Sequence, residues 1–309
     1  MDENKGIWFA ALTGIVSGFS IFVNKFAVAE TNPFVFTTFK NALVAVLLLA
    51  TIFLLKESGS LRQLSRRQWL QLLAIAVVGG SIPFLLYFYA LKLTTAVNAA
   101  FLHKTMFLWV GILAYFFLKE RIDRRVLAAA GLLLAGNIAL FGINVKGFGF
   151  YDGLIFVAVL FWAVEAILAK QALNALDISP RVVAFARMFF GSLLTLGFLA
   201  ATDQARFFAE ITPTQLQWSL LSAAFLFLYQ IFWFIGLREA RASVATSVLL
   251  IGLPITALLS AFFRGEAFSF NQALGFFFIV AGIALLAGYG LLSPFFKPRE
   301  VRSLADLPR

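Results

Sequence analysis

The sequence predicts an all-α integral membrane protein, with ten transmembrane helices arranged as two inverted five-helix repeats. Three observations carry this reading. Of the 309 residues, 61% are apolar and only 13% are charged, against roughly 45–50% and about 25% in soluble chains. Ten apolar stretches each approach the ~20 residues that a spanning helix requires. The second half of the chain also repeats the pattern of the first at a near-constant offset.

The expected spans are 6–28, 34–55, 68–90, 95–118, 125–143, 151–174, 181–201, 215–237, 243–263 and 271–292. They are too long and too continuously apolar for barrel strands, which need ~9–11 alternating residues. The start, Met1-Asp2-Glu3-Asn4-Lys5, lacks a basic leader, so the first helix is expected to be retained. The least sharp boundary lies between the third and fourth spans, around Leu91–Thr94.

The net charge of +10 is explained by topology. With the N-terminus inside, 16 basic residues fall on inner segments, four on outer segments and five within spans. The inner set begins with Lys5 and includes the clusters Lys56–Arg67 and Lys119–Arg125, then Arg238 and Arg241. Such a bias places both termini in the cytoplasm, in an inner or plasma membrane. It also removes the reason to invoke a nucleic-acid partner; membrane lipids are the expected surroundings.

The repeat is legible in Ala96 and Ala242, Ala99 and Ala245, Phe116-Phe117 and Phe262-Phe263, and Glu120 and Glu266, all at an offset of 146. Lys25 pairs with Lys170 at 145, and Lys40 with Arg187 at 147. Five helices per copy is an odd number, so the second copy enters the membrane from the opposite side, a common transporter architecture with the solute site near the midplane. The expected divisions are 1–147, 148–292 and a basic cytoplasmic tail over 293–309.

Charges inside spans are functional candidates. Lys25, Lys40, Lys170 and Arg187 lie within reach of helix ends, where long basic side chains snorkel to headgroups; anchoring is the expectation for all four, with a site role as the alternative. Lys104 and Glu165 each lie nine residues from a helix end, about 14 Å deep at 1.5 Å per residue. They are expected to face a cavity, one another, or both, and an ion pair would lower the burial cost of each. Structural pairing, solute binding and proton coupling through Glu165 are the competing roles.

Further candidates surround this pair. His103 is the only histidine, and its side chain points about 100° around the helix from Lys104. Trp162, three residues before Glu165, shares its face. Tyr87, Tyr89, Tyr229, Gln230 and Trp233 supply aromatic and polar groups, Ser20 and Asn24 come from the first span, and Asn98 opens the fourth. Such mixtures line ligand pockets. With one His and no Cys, no metal site is expected. The chain also has no phosphate-binding Gly-rich motif, so no ATP site is expected; an intramembrane enzyme would need convergent nucleophiles or metal ligands, and with only His103 and scattered Ser and Thr no enzymatic activity and no cofactor are expected. Pro83 and Pro254 each free a backbone carbonyl and are candidate bending points.

These motifs together resemble the drug/metabolite transporter superfamily and, within it, the ten-helix EamA-type transporters. The resemblance rests on Gly18-Phe19-Ser20 to Lys25, Ala96-Val97-Asn98-Ala99-Ala100, Lys119-Glu120-Arg121, Trp162 through Lys170, Pro254 and Gly265-Glu266. Leu108, where the family often has proline, and His103-Lys104, where it usually has small or uncharged residues, depart from it. The resemblance implies alternating-access transport of a small metabolite, with export as the associated direction. Amino acids are the first candidate class; nucleotide- or sugar-linked anions, choline-like cations and lipophilic drugs follow. Protons or a counter-solute are the candidate coupling partners. A non-transporting scaffold or receptor is the rival class.

Overall fold

A computed structural model describes residues 2–29, 31–94, 96–141, 149–264 and 269–287. The expectations for the tail 293–309 and for Gly265-Glu266 lie outside the described residues, as do the side chains of Lys25 and Asn98. Every regular element among the described residues is helical.

The helices are α1 (Glu3–Ala29), α2 (Pro33–Leu54), α3 (Ser58–Arg62), α4 (Arg66–Ile75), α5 (Ile82–Leu93), α6 (Ala96–Lys104), α7 (Met106–Phe117), α8 (Arg124–Phe141) and α9 (Phe150–Asn174). They continue as α10 (Pro180–Ala201), α11 (Pro213–Glu239), α12 (Ala242–Val248), α13 (Gly252–Arg264) and α14 (Phe270–Ala287). A π-helical segment, Ala76–Ser81, joins α4 to α5, and a 3₁₀ turn, Leu249–Ile251, joins α12 to α13. Seven helical stretches are long and apolar enough to cross a membrane: Glu3–Val28, Pro33–Leu54, Arg66–Leu93, Phe150–Asn174, Pro180–Ala201, Pro213–Glu239 and Ala242–Phe263. Phe101–Phe117 and Phe270–Leu286 are shorter apolar helices, and α8 has 18 residues. Ten full-length spans are therefore not all realised among the described residues.

Sequence chemistry sets the helix ends. Asn32 accepts from the amides of Phe34 and Val35 at the start of α2, with Pro33 in the first turn. Ser65 with Gln68 and Thr212 with Gln215 form reciprocal capping boxes at α4 and α11, which satisfy amides that have no partner within the helix. Large apolar side chains such as Phe262, Leu54, Phe270 and Phe150 cover the outer surface, as lipid contact requires.

Two interruptions lie within helices. Proline at 83 cannot donate to the carbonyl of residue 79, and its ring crowds that oxygen. The backbone widens here into the π segment, and Gly79 O accepts instead from Trp162 Nε1 at 3.1 Å. The second interruption, Thr105, separates α6 from α7; its hydroxyl donates to Leu102 O at 2.7 Å, a local bond that competes with the helical ladder. The 3₁₀ turn Leu249–Ile251 precedes Pro254 and lies one repeat offset beyond Lys104-Thr105.

Packing partners follow an exchange pattern. α1 packs against α11, α12 and α13, while α9 packs against α5, α6 and α7; α2 packs on α10, and α8 on α14. Close approach depends on glycine at two crossings. A Cβ on Gly191 would run into the backbone of Gly80, and one on Gly80 into the Arg187 carbonyl. A Cβ on Gly252 would meet the Gly14 carbonyl and the Gly18 backbone of α1. Small residues let membrane helices approach to backbone contact.

The bundle has two ends. At the proximal end, where α1 begins, Arg241 pairs with Glu3 at 2.8 Å, and Asp2 N donates to Glu239. Glu120 accepts from Ala242 N, Ser243 N and Ser243 Oγ, and Arg181 pairs with Glu57. Lys170 Nζ donates to the carbonyls of Leu237, Arg238 and Ala240 at 2.7, 3.0 and 2.7 Å. This corrects the snorkelling expectation for Lys170: its ammonium ties the end of α11 and does not seek headgroups. At the distal end Asn32 bonds Gln204, and Phe34 packs on Phe198.

Gly191→Leu is expected to destabilise the detergent-solubilised protein by about 3 kcal/mol, because backbone cannot yield to the added side chain. Gly59→Leu, where no atom lies within 4 Å of the added Cβ, serves as the control. Thermal unfolding monitored by size-exclusion chromatography checks it, and equal midpoints for the two variants would contradict the crossing.

Candidate functional site

A cavity of ≈ 440 Å³ lies within the helix bundle. Its lining reaches Leu91, Leu140 and Gln272 near the distal ends of their helices and includes none of the proximal ion pairs. The cavity therefore reaches toward the distal face and is closed proximally. Of the expected residues, Ser20, Asn24, Tyr87, His103, Trp162, Glu165, Tyr229, Gln230 and Trp233 line it.

Glu165 is positioned by α9 against the π segment. A Cβ on Gly79 would overlap its side chain, so glycine at 79 makes the space that the carboxylate occupies. Trp162, one turn earlier, is fixed by its bond to Gly79 O. Tyr87 and His103 both pack on Trp162, with ring centroids 5.3 Å away in each case, and lie 5.4 Å from one another. Nδ1 of His103 is buried without a hydrogen-bond partner.

The charge pairing differs from the sequence expectation. Glu165 pairs with Arg187 of α10, Oε1 to Nε, at 3.5 Å, with both side chains buried. Neither of these atoms has a hydrogen-bond partner; the contact is an ion pair that leaves hydrogen-bonding capacity unused at the cavity wall. Lys104, expected to face Glu165, is 4% exposed and does not line the cavity. Among the described residues, no carboxylate lies within 4.0 Å of it. It ends the short helix α6, where the C-terminal dipole favours a cation. The turn at Thr105 interrupts the continuous helix on which the facing geometry was based.

Lys40 and Arg187, expected chiefly as anchors, both line the cavity. Lys40 is 2% exposed. Its Nζ lies 4.3 Å from the Phe88 ring centroid, 4.7 Å from Phe36 and 5.8 Å from Phe84. The Arg187 guanidinium also packs on Phe84, at 5.4 Å. Cation–π attraction strengthens where water is excluded, so three phenyl rings partly replace the solvation that Lys40 loses. The repeat offset relating Lys40 to Arg187 was the signal available in the sequence; what hid their placement was direction around the helix axis, which residue count from a helix end does not give. Ser17 of the first span also lines the cavity, and Thr256 and Gln272 add polar groups that the sequence did not single out.

Tyr89 points away from this cavity. It is partly exposed and stacks on Phe34 at 5.6 Å. The Asn98 side chain lies outside the described residues. No group of three or more His, Cys, Asp or Glu suited to a metal occurs among the described residues.

Comparison with known proteins gives a consistent picture. The chain is 28% identical over 292 residues to an uncharacterized transporter, YetK, of Bacillus subtilis strain 168; the match covers 89% of this chain and 84% of that protein. An uncharacterized transporter of Archaeoglobus fulgidus is 28% identical over 288 residues, covering 89% of this chain and 94% of that one. A solved crystal structure aligns with a TM-score of 0.71 over 93% of this chain and 99% of its own, at 19% identity, which speaks for the fold alone. A family model described as EamA-like transporter matches twice, over residues 4–142 and 149–288. With its apolar helices, the protein is a multi-pass membrane protein, and it belongs to the EamA-like transporter family.

Proposed function

We propose that the protein is a secondary transporter that carries a small solute bearing a carboxylate, amino acids first, across an inner or plasma membrane by alternating access. The observation that carries this reading is the set of charges on one intramembrane cavity: Lys40, Arg187 and Glu165. Two basic side chains face one acid, so a bound carboxylate evens the balance, and an amino group has Glu165 to approach. The wall of Tyr87, Trp162, His103 and Trp233 suits an apolar portion. The cavity volume falls within the ~300–1,000 Å³ typical of small-molecule sites.

The alternating step is read from the repeat. Two family-model matches, the exchange of packing partners and the interruptions one repeat offset apart support two inverted five-helix units, 1–147 and 148–292, of ten spans in all. Rocking one unit against the other would close the distal mouth and part the proximal ion pairs. With both termini cytoplasmic, the described state faces outward. Export is the direction implied by family resemblance, and the twenty common amino acids in proteoliposomes are the set in which to look for flux.

Removing one partner of a desolvated charge pair costs about 2–5 kcal/mol, and each 1.4 kcal/mol is a factor of ten. Arg187→Ala and Lys40→Met are therefore expected to weaken solute binding by at least about 10-fold. Lys104→Ala is expected to leave it within about twofold. Radiolabelled uptake and thermal-shift titration measure both; wild-type affinity in Arg187→Ala and Lys40→Met alike would overturn the site.

The orientation has its own test, made simple because the chain has no native cysteine. Gly59→Cys on the proximal side should react with a membrane-impermeant maleimide only after cells are permeabilised. Thr202→Cys on the distal side should react in intact cells. The reverse pattern would invert the topology.

A further inference from the structure

A second group of polar side chains lies outside the central cavity, on three helices that pack on one another, α2, α10 and α11. Thr37 and Thr38 stand four and three residues before Asn41 and so share one face of α2 with it. Their hydroxyls, both polar atoms of Asn41, and the Ser222 hydroxyl of α11 are buried with no hydrogen-bond partner. Thr37, Asn41 and Ser222 are each 0% exposed.

The helix register brings these groups to one level. Phe34 of α2 contacts Phe198 of α10 at 5.2 Å, and Met188 of α10 contacts Gln230 of α11 at 3.6 Å. α10 runs opposite to the other two. Stepping ten residues along α10 from Phe198 to Met188 therefore moves from the level of Phe34 to about that of Val44, which is also the level of Gln230. Eight residues back along α11, Ser222 comes level with Phe36 and Thr37.

This cluster connects two other features. On its distal side lies a second cavity of ≈ 310 Å³, whose lining includes Phe36, Ser219, Lys92 and Glu210; Phe36 adjoins Thr37, and Ser219 is one turn from Ser222. On its proximal side lies Gln230, whose Oε1 is also without a partner, and beyond it the unfilled Arg187 Nε and Glu165 Oε1. Most of the unpartnered buried polar atoms among the described residues thus fall along one line from the second cavity to the central ion pair.

We propose that this line is a water-filled proton path that meets the solute cavity only at Gln230, Arg187 and Glu165, so that the distal face stays connected to Glu165 while a bound solute fills the cavity. Buried polar groups without protein partners are filled by ordered water. Hydroxyl and amide groups both donate and accept, as a relay of waters requires. An alkali cation is a poorer occupant, since Asn41 Nδ2 offers a donor and the ammonium of Lys40 belongs to the adjacent residue. The step at the inner end is a simple transfer. The O–H bond of a protonated Glu165 breaks, water in the path takes the proton, and the carboxylate is left beside Arg187. The charged and titratable groups around that point, among the described residues, are Arg187 from α10, Lys40 from α2, His103 from α6, Tyr87 from α5 and Tyr229 from α11; the polar groups that α1 contributes to the cavity are Ser17, Ser20 and Asn24. Lys92 and Glu210 stand at the distal mouth.

The inference rests on the transport reading for its purpose but not for its test. The double variant Thr37→Val, Ser222→Ala removes two hydroxyls with little change of shape and leaves the solute cavity intact. In proteoliposomes enclosing a pH-sensitive dye and given the twenty common L-amino acids, wild type should move protons with solute. The variant should lose at least tenfold of that proton flux while amino-acid counterflow stays within twofold. Amino-acid flux without proton movement, or equal proton flux in the variant, overturns the path and leaves the transport reading standing. Absence of any amino-acid flux counts against that reading instead. The path is then decided by a density map of a resolution that shows water: ordered waters must touch Thr37 Oγ1, Asn41 and Ser222 Oγ, and a dry cluster overturns it.

Discussion

A carboxylate and a guanidinium 3.5 Å apart in the middle of an apolar bundle set the conditions for the rest of the structure. Lipid offers such charges no solvation, and each ion alone would cost several kcal/mol to bury. The pair lowers that cost without removing it, because the geometry leaves Glu165 Oε1 and Arg187 Nε unfilled. Two consequences follow. The pair must face a space that can hold water or solute, and the helices carrying it must be held at close range by something other than charge.

Glycine and proline supply that second condition. Gly80 and Gly191 bring the π segment against α10, so Arg187 is delivered to the wall that Gly79 leaves open for Glu165. Pro83 releases the Gly79 carbonyl, which Trp162 then claims. One proline, two adjacent glycines and one tryptophan thus fix the carboxylate, and its aromatic neighbours Tyr87 and His103 pack on the same indole, tilted and edge-on. Helix irregularities of this kind, often found at functional sites, convert a backbone defect into side-chain position.

The two ends of the bundle divide the remaining work. The proximal end is closed by directional polar contacts that are individually weak when exposed but numerous, with Lys170 holding three carbonyls of the α11–α12 corner. The distal side holds the open reach of the cavity. The proximal contacts overlie a buried apolar layer at the same end, in which Ile7, Leu173, Val182 and Leu237 pack in the core.

Much of this was legible in the sequence because the governing rules are local. Apolar runs of about 20 residues reveal a membrane chain, the offset between Lys40 and Arg187 marks the repeat, and Trp162 three residues before Glu165 must share its face. These depend on composition and helical period alone. The partner of Glu165 did not. Residue counting gave Lys104 and Glu165 similar depth, but depth along a helix says nothing of azimuth or of which helix lies opposite. Lys104, at the end of α6, does not line the cavity, and the Gly80–Gly191 crossing brings Arg187 in. The sequence by itself determined a membrane-spanning helical chain with a few costly charges inside it. Only the tertiary structure decided which charges meet, because that choice is made by backbone approach between helices more than 100 residues apart in sequence.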